Sequence, residues 1–313
     1  MRLGIIGAGL IAARHIAALA EADPDVYPVA FLSRSVEKAA QAARSFGGEA
    51  FDTVQAFIRQ GRPDAVIVTV PPSQHGPIEL ALAEAGIPFL VEKPIGLDDA
   101  IPDRIADTLS RRNLVAAVGY NWRALDTLAA VRRQIEQTPI RMVIGRFHIG
   151  TPLTPWWRFE AHSGGQMLEQ ACHLIDLSRY LAGAGQLLAA AGTRGALPGV
   201  PDGDVAGTSA ALFLFGGVPG VITAACVLPN GPGAELRLIC EGCEIAIGLA
   251  GVTIVRGRES SHTASGTSSY ALQDRAFFDA VRRNRPDVVL CPYDDALATH
   301  RLALAAARQI RQN

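Results

Sequence analysis

Residues near the N-terminus, around position 93 and around position 170 have types and spacings suited to chemistry. Gly7-Ala-Gly9-Leu10-Ile11-Ala12 follows an apolar run and opens a stretch of helical apolar period, with Leu10, Ile11, Ile16 and Leu19. In that strand-turn-helix context Gly7 permits the tight turn and Gly9 lets the backbone approach a pyrophosphate. Small Ala12 lets the helix pack closely on the sheet, with its N-terminal amides facing the anion. The segment reads as a dinucleotide-phosphate cradle. Glu92-Lys93-Pro94 follows a second apolar run. Hydride transfer from an alcohol carbon requires loss of a hydroxyl proton that neutral water does not readily take, and a base with a nearby cation solves that problem. A lysine just past the carboxyl end of a strand, its chain direction set by proline, suits the cation; an ordinary surface ion pair is the alternative. After Gly164-Gly165, residues Glu169, His173, Asp176 and Tyr180 are spaced by 4, 3 and 4 and share one helix face. A solvated charged stripe has the same spacing, and spacing alone favours it.

These groups need elements to hold them. At 313 residues the chain exceeds the size at which one core usually suffices, so two domains are expected. Strand patterns at 3–6, 28–32, 65–70, 89–91 and 115–118 alternate with helical ones such as 36–46 and 78–85. This predicts an α/β Rossmann-type domain, a doubly wound parallel sheet, over residues 1–120. Beyond Tyr120 the strands come without regular intervening helices, at 142–150, 187–193, 208–215, 218–227, 234–240, 244–249 and 252–255. Gly/Pro turns separate some of them, and one long helix is expected near 166–181. The second domain is therefore α+β with a mostly antiparallel sheet. Residues 257–269, rich in Ser, Thr and Gly, read as a loop, either a linker or a lid, before helical patterns at 271–283 and 294–310.

Composition excludes several classes. A formal net charge of −1 without a long Lys/Arg run suggests neither nucleic acid nor an anionic membrane as partner. No run of about 18 uninterrupted apolar residues suggests a membrane span, and Arg14 and His15 interrupt the apolar N-terminus, which belongs to the first strand-helix unit and not to a signal peptide. The count of 5 cysteines is odd, which argues against a disulfide framework and suits the cytoplasm. Cys240-Glu-Gly-Cys243 reads as a hairpin turn between two apolar runs, ahead of half a zinc site or a redox pair. His15, His148, His162, His262 and His300 show no metal-ligand spacing, so no metal is expected.

Cofactor choice follows from the second strand. An acidic residue about 20 positions beyond the glycine loop holds the adenosine ribose of NAD. This chain has Ser33-Arg34-Ser35 there. Arg34 can meet a 2′-phosphate with a planar fork, and the flanking hydroxyls can donate to it, so NADP(H) is preferred. The alternative is a solvated Arg34 and use of NAD(H) as well.

Gly7-Ala-Gly9-Leu-Ile-Ala12, Val70-Pro71-Pro-Ser-Gln-His75, Leu90-Val-Glu92-Lys93-Pro94 and Gly164-Gly165-Gln-Met-Leu-Glu169-Gln-Ala-Cys-His173-Leu-Ile-Asp176 stand in this order, and together they resemble the Gfo/Idh/MocA family of nicotinamide-dependent oxidoreductases. The resemblance spans nearly the full length. It implies a C-terminal domain over 121–293 with an open-faced sheet used for substrate binding and oligomerisation. A final helix over 294–313 would return to the Rossmann domain, and assembly through the outer sheet faces would give a homodimer or homotetramer. It implies that Glu92 orients Lys93, that Lys93 contacts the nicotinamide side and the substrate oxygen, and that Pro71 and His75 support the nicotinamide loop. Among the helix residues it makes His173 the general base in oxidation and general acid in reduction, with Glu169 beside it where polyol-oxidising members often carry Asp. Candidate substrate contacts are Asn121, Arg123, Trp156, Arg158 and Asp176. The expected activity is that of a dehydrogenase or reductase acting on a sugar, polyol or related hydroxy compound. A dinucleotide-sensing regulator without catalysis and an NAD-dependent glycoside hydrolase are the competing readings.

Overall fold

The computed structural model describes residues 1–312 and divides into two compact units. The first comprises Met1–Ala124 with Ser268–Leu297; the second comprises Leu125–Thr267 with the chain from Ala298 onward.

In the first unit, β1 (Arg2–Ile6), β2 (Tyr27–Leu32), β3 (Glu49–Phe51), β4 (Ala65–Val68), β5 (Phe89–Val91) and β6 (Ala116–Val118) form one sheet in the order β3-β2-β1-β4-β5-β6. Every pairing is parallel. Strands covered on both faces need continuous apolar sequence, and Ala65, Val66, Ile67 and Val68 are all fully buried. Chain direction across the sheet reverses between β1 and β4, which makes their carboxyl ends the place where such sheets bind ligands. The helix Leu10–Ala22 is covered by the helix Ser269–Arg283, which adds Ala271, Phe277 and Phe278 to the core around Leu3, Ile5 and Ile67. β3 was not expected. Its three residues, of which only Phe51 is buried, are too few to show a period.

The second unit holds β7 (Ile140–His148), β8 (Gly185–Thr193), β9 (Thr208–Phe215), β10 (Val218–Ala225), β11 (Gly233–Cys240), β12 (Cys243–Gly248), β13 (Gly251–Arg256) and β14 (Glu259–Ala264). They pair in the order β14-β13-β12-β11-β7-β10-β9-β8, antiparallel except between β7 and β10. The helix Cys172–Ala182 lies against β7, β9, β10 and β11, so residues alternate between buried and exposed along strands such as β9. On the other face Ile144, Val221 and Leu212 stand in register on adjacent strands, each more than a third exposed. Cys240 pairs with Cys243 across the β11–β12 turn, as the hairpin reading expects. No helix among the described residues is long and apolar enough to cross a membrane.

Two expectations change. Within the expected loop at 257–269, β14 pairs with β13 from Gly251↔Ala264 to Arg256↔Glu259. All six of its residues are exposed, as a polar edge strand should be, so no alternation marked it in the sequence. The following turn is tied to Asp126, whose carboxylate accepts from Ser265 Oγ (2.9 Å), Gly266 N (2.8 Å) and Thr267 N (3.1 Å). These bonds, the Gly266 amide foremost, lower the Asp126 pKa. The helix expected near 166–181 is two pieces, Gln166–Glu169 and Cys172–Ala182. The Gln166 carbonyl accepts from both Gln170 N and Ala171 N, 2.9 Å each, so the hydrogen-bond ladder slips by one residue there.

Candidate active site

In the first unit, residues from separate stretches of sequence meet at the carboxyl ends of β2, β1, β4 and β5. Gly7 leaves β1 with φ +105°, a conformation glycine adopts without strain, and its amide donates to Leu32 O at 2.8 Å. A Cβ on Gly7 would stand 2.7 Å from Thr69 O, so the turn closes tightly on the end of β4. Gly9 differs: a Cβ there would meet nothing within 4 Å. Gly9 is also the cap of the helix Leu10–Ala22, which has no side-chain cap bond. Its first amides are therefore left for a ligand, the arrangement that binds phosphate. Leu10 is exposed, Ile11 half-buried and Ala12 buried against the sheet. These residues fit the pyrophosphate of a dinucleotide.

At the end of β2, Ser33 is half-buried and Arg34 exposed. Ser35 is otherwise engaged: its Oγ accepts from Lys38 N (3.3 Å) as the cap of the helix Val36–Phe46 and donates to Glu37 Oε2 (2.8 Å). The Ser35 hydroxyl proton is thus committed to Glu37, which leaves Ser33 and Arg34 as the residues that could donate to a 2′-phosphate. Past β4, Pro71 leads into a short 3-10 turn, and His75 is buried with Nδ1 2.6 Å from Glu79 Oε1. Glu79 Oε2 also accepts from Gly76 N at 2.5 Å, so His75 is held as a scaffold residue beneath its loop.

Glu92 and Lys93 follow β5, and the Lys93–Pro94 peptide is cis. Glu92 is buried at 5% exposure. Its carboxylate occupies space left by Gly119, where a Cβ would stand 2.6 Å from Oε1. Gly119→Ala should therefore displace Glu92 and destabilise the protein by about 1–3 kcal/mol, read as a lower urea midpoint at unchanged slope. An unchanged midpoint would show that the carboxylate has room to move. The other partner of Glu92 is His15, whose Nε2–H donates to Oε1 at 3.2 Å. On the opposite side of the ring Nδ1–H donates to both oxygens of Asp274, at 3.0 and 2.9 Å. Both ring nitrogens face carboxylate oxygens, so both carry protons. Burial alone pulls the His15 pKa down, but Asp274, and then Glu92, push it up to about 10.

Neither His15 nor Asp274 figured among the candidate site residues. Their signal was a polar side chain inside an apolar stripe, since Ala12, His15 and Leu19 share the buried face of their helix.

Two expected substrate contacts are turned inward. Arg123, in the first unit and 5% exposed, places Nη1 2.6 Å from Asp295 Oδ2 and 3.4 Å from Leu290 O. Asp176, in the second, is fully buried and accepts from Thr299 Oγ1 at 2.8 Å. A charge removed from water needs such partners, and both side chains thereby brace their own units. Asn121 is buried and donates from Nδ2 to Ser269 Oγ (3.2 Å).

In the second unit, Glu169 ends the short helix before the ladder slip, and half-buried His173 begins the next. The slip therefore lies between the two residues, so the regular helical spacing assumed for them does not hold there. Trp157 Nε1–H donates to Glu169 Oε2 at 2.7 Å, and Trp157 is itself packed among Leu197, Val200, Val205 and Cys226. That indole fixes the carboxylate. Trp156 is half-buried against the same cluster; Arg158 pairs with Asp202 at 3.1 Å and lies over the Phe159 ring.

Comparison with known proteins agrees with this architecture. Residues 1–120 match the family model of the GFO/IDH/MocA oxidoreductases with NAD-binding Rossmann fold, and residues 130–246 match the GFO/IDH/MocA C-terminal domain. A levoglucosan dehydrogenase of Pseudarthrobacter phenanthrenivorans is 28% identical over 202 residues, 58% of this chain and 51% of that protein. A dTDP-3,4-didehydro-2,6-dideoxy-alpha-D-glucose 3-reductase of Streptomyces violaceoruber is 30% identical over 188 residues, 59% of this chain and 55% of that protein. The chain thus spans about half the length of the curated relatives it matches. Among solved structures, KijD10, a 3-ketoreductase from Actinomadura kijaniata in complex with NADP and TDP-benzene, superposes with a TM-score of 0.86 at 21% identity, covering 99% of this chain and 97% of that one.

Proposed function

The chain belongs to the GFO/IDH/MocA oxidoreductase family, and from that premise we propose that it is an NADP(H)-dependent dehydrogenase or reductase of a sugar, polyol or related hydroxy compound. The observation that carries this reading is the first unit's binding edge. An uncapped helix N-terminus with open space at Gly9 and the Glu92-Lys93 pair both stand at carboxyl ends of one parallel sheet. The names of the two sugar-directed relatives support the substrate class.

In this reading the nicotinamide supplies the site that accepts or gives hydride. The chain supplies the rest. Lys93 provides positive charge to the substrate oxygen as it develops alkoxide character, and His173 takes the hydroxyl proton in oxidation or returns it in reduction. Glu169, steadied by Trp157, sets the environment of His173. Asn121, Trp156 and Arg158 remain the candidate substrate contacts. The exposed apolar row at Ile144, Val221 and Leu212 supports a homo-oligomer, and the unlinked thiols Cys240 and Cys243 suit the cytoplasm.

Titration with NADPH and NADH, followed by a panel of aldoses and polyols on the saturated protein, tests the reading. NADPH preference with absorbance change on one substrate class is the expected result. Tight binding without turnover on any of them would favour a dinucleotide sensor, and glycoside cleavage without net cofactor change would favour hydrolysis.

Arg34→Ala should weaken NADPH binding about 10-fold or more while leaving NADH nearly unaffected, because only the 2′-phosphate contacts the guanidinium. Equal losses for both cofactors in a fluorescence titration would remove Arg34 from cofactor selection.

A further inference from the structure

His15 and Asp274 have no part in the reaction as described above, yet through Glu92 their buried group ends one residue from Lys93. We propose that His15 is a positioning residue for Lys93: clamped as an imidazolium between Asp274 and Glu92, it fixes the Glu92 carboxylate and tempers the negative charge presented to the lysine. The proposal rests on the reading of Lys93 as catalytic and deepens it.

The geometry is that of a clamp. His15 and Asp274 are fully buried, and the imidazole is bonded on both sides, at 2.9 and 3.0 Å to Asp274 and at 3.2 Å to Glu92. Tyr270 closes the third side, its ring edge-on to His15 with centroids 5.1 Å apart. Gly119 closes the space behind the Glu92 carboxylate. His15 is carried by the helix whose first amides form the phosphate cradle, while Asp274 comes from the helix Ser269–Arg283 packed on it. One rigid element thus links the cradle to the residue preceding Lys93.

The charged and titratable groups around the clamp are Asp274 and Tyr270 on one helix, Arg14 beside His15 on the other, and Glu92 and Lys93 after β5. Both Glu92 and Lys93 are close enough to act on the Tyr270 hydroxyl, whose pKa is raised by burial first and by Glu92 next, with Arg14 and Lys93 opposing. Counted as ions, Asp274, His15, Glu92 and Lys93 sum to zero. A buried set of this kind tolerates no missing member without a change in how its neighbours hold their protons.

Lysine is rare in this chain, occurring only as Lys38 and Lys93. Reductive methylation with ¹³C therefore gives lysine methyl signals that a Lys93→Arg variant assigns at once, and the Lys93 titration can be followed by NMR without any substrate. In His15→Gln the neutral side chain no longer shares Glu92 or repels the ammonium. The Lys93 midpoint should move up by about half a unit or more. In Asp274→Asn the imidazolium loses a counter-charge, and the midpoint should move down. In His15→Gln, kcat at saturation should fall about 10-fold with NADPH affinity within a few-fold of the parent.

A lowered melting temperature with an unmoved Lys93 midpoint in both variants would show the group to be scaffold alone and would overturn the proposal. If His15→Gln does not fold, Asp274→Asn carries the same test with the opposite sign. Failure of the catalytic reading is distinguishable, because full turnover in Lys93→Ala would remove the lysine from the reaction while leaving the titration result intact.

Discussion

Lys93→Ala is expected to lower kcat by about 100-fold or more while NADP(H) affinity stays nearly intact. The expectation follows from where the residue sits and from what it does not hold. Lys93 follows β5, beside a Glu92 that is buried and hydrogen-bonded, and in the proposed role its charge would already be in place as the substrate oxygen becomes alkoxide-like. Removal of one preorganised donor of this kind costs roughly 3–4 kcal/mol of transition-state stabilisation. In the proposed reading the cofactor is held mainly elsewhere, by the amides after Gly9 and by Arg34. Steady-state kinetics paired with a fluorescence titration of NADPH separate the two effects. Near-normal kcat would exclude Lys93 from the chemistry, and a parallel loss of NADPH binding would make it a cofactor ligand only.

His173→Ala should produce a comparable loss, about 100-fold in kcat, together with disappearance of the limb of the pH–rate profile that reports the catalytic base. The residue stands in the first turn of Cys172–Ala182, half-buried, just beyond a ladder slip. Ladder slips of this type often mark functional sites, because they re-aim a side chain at the expense of one regular hydrogen bond. A variant that kept both turnover and the pH limb would shift the proton-transfer role to another group. Retained NADPH binding by inactive His173→Ala would separate loss of chemistry from loss of fold, since that cofactor is assigned to the first unit.

Much of the architecture was legible because it rests on local periodicity. β4, with four consecutive apolar residues, announces a sheet covered on both faces, whereas in β9 the one-sided cover shows only in the burial pattern, since Ala210 to Phe215 are all apolar. The strand-turn-helix at Gly7, Gly9 and Ala12 was legible for the same reason, since these residues act through neighbours in sequence. β3 and β14 were not legible, the first too short and the second polar on both sides. The slip at Gln170 was hidden as well, because a hydrogen bond displaced by one residue leaves the composition of the helix unchanged.

By itself the sequence determined the two fold classes, the tight glycine turn after β1 and which residues are proposed for phosphate binding and hydride chemistry, since these depend on residue type and short spacing. Tertiary structure alone decided which polar residues face inward. His15 meets Asp274 from 259 positions away, Arg123 meets Asp295, and Asp176 meets Thr299. A buried charge is stable only beside its partner, and the partner's place depends on how distant segments pack, which no local pattern records.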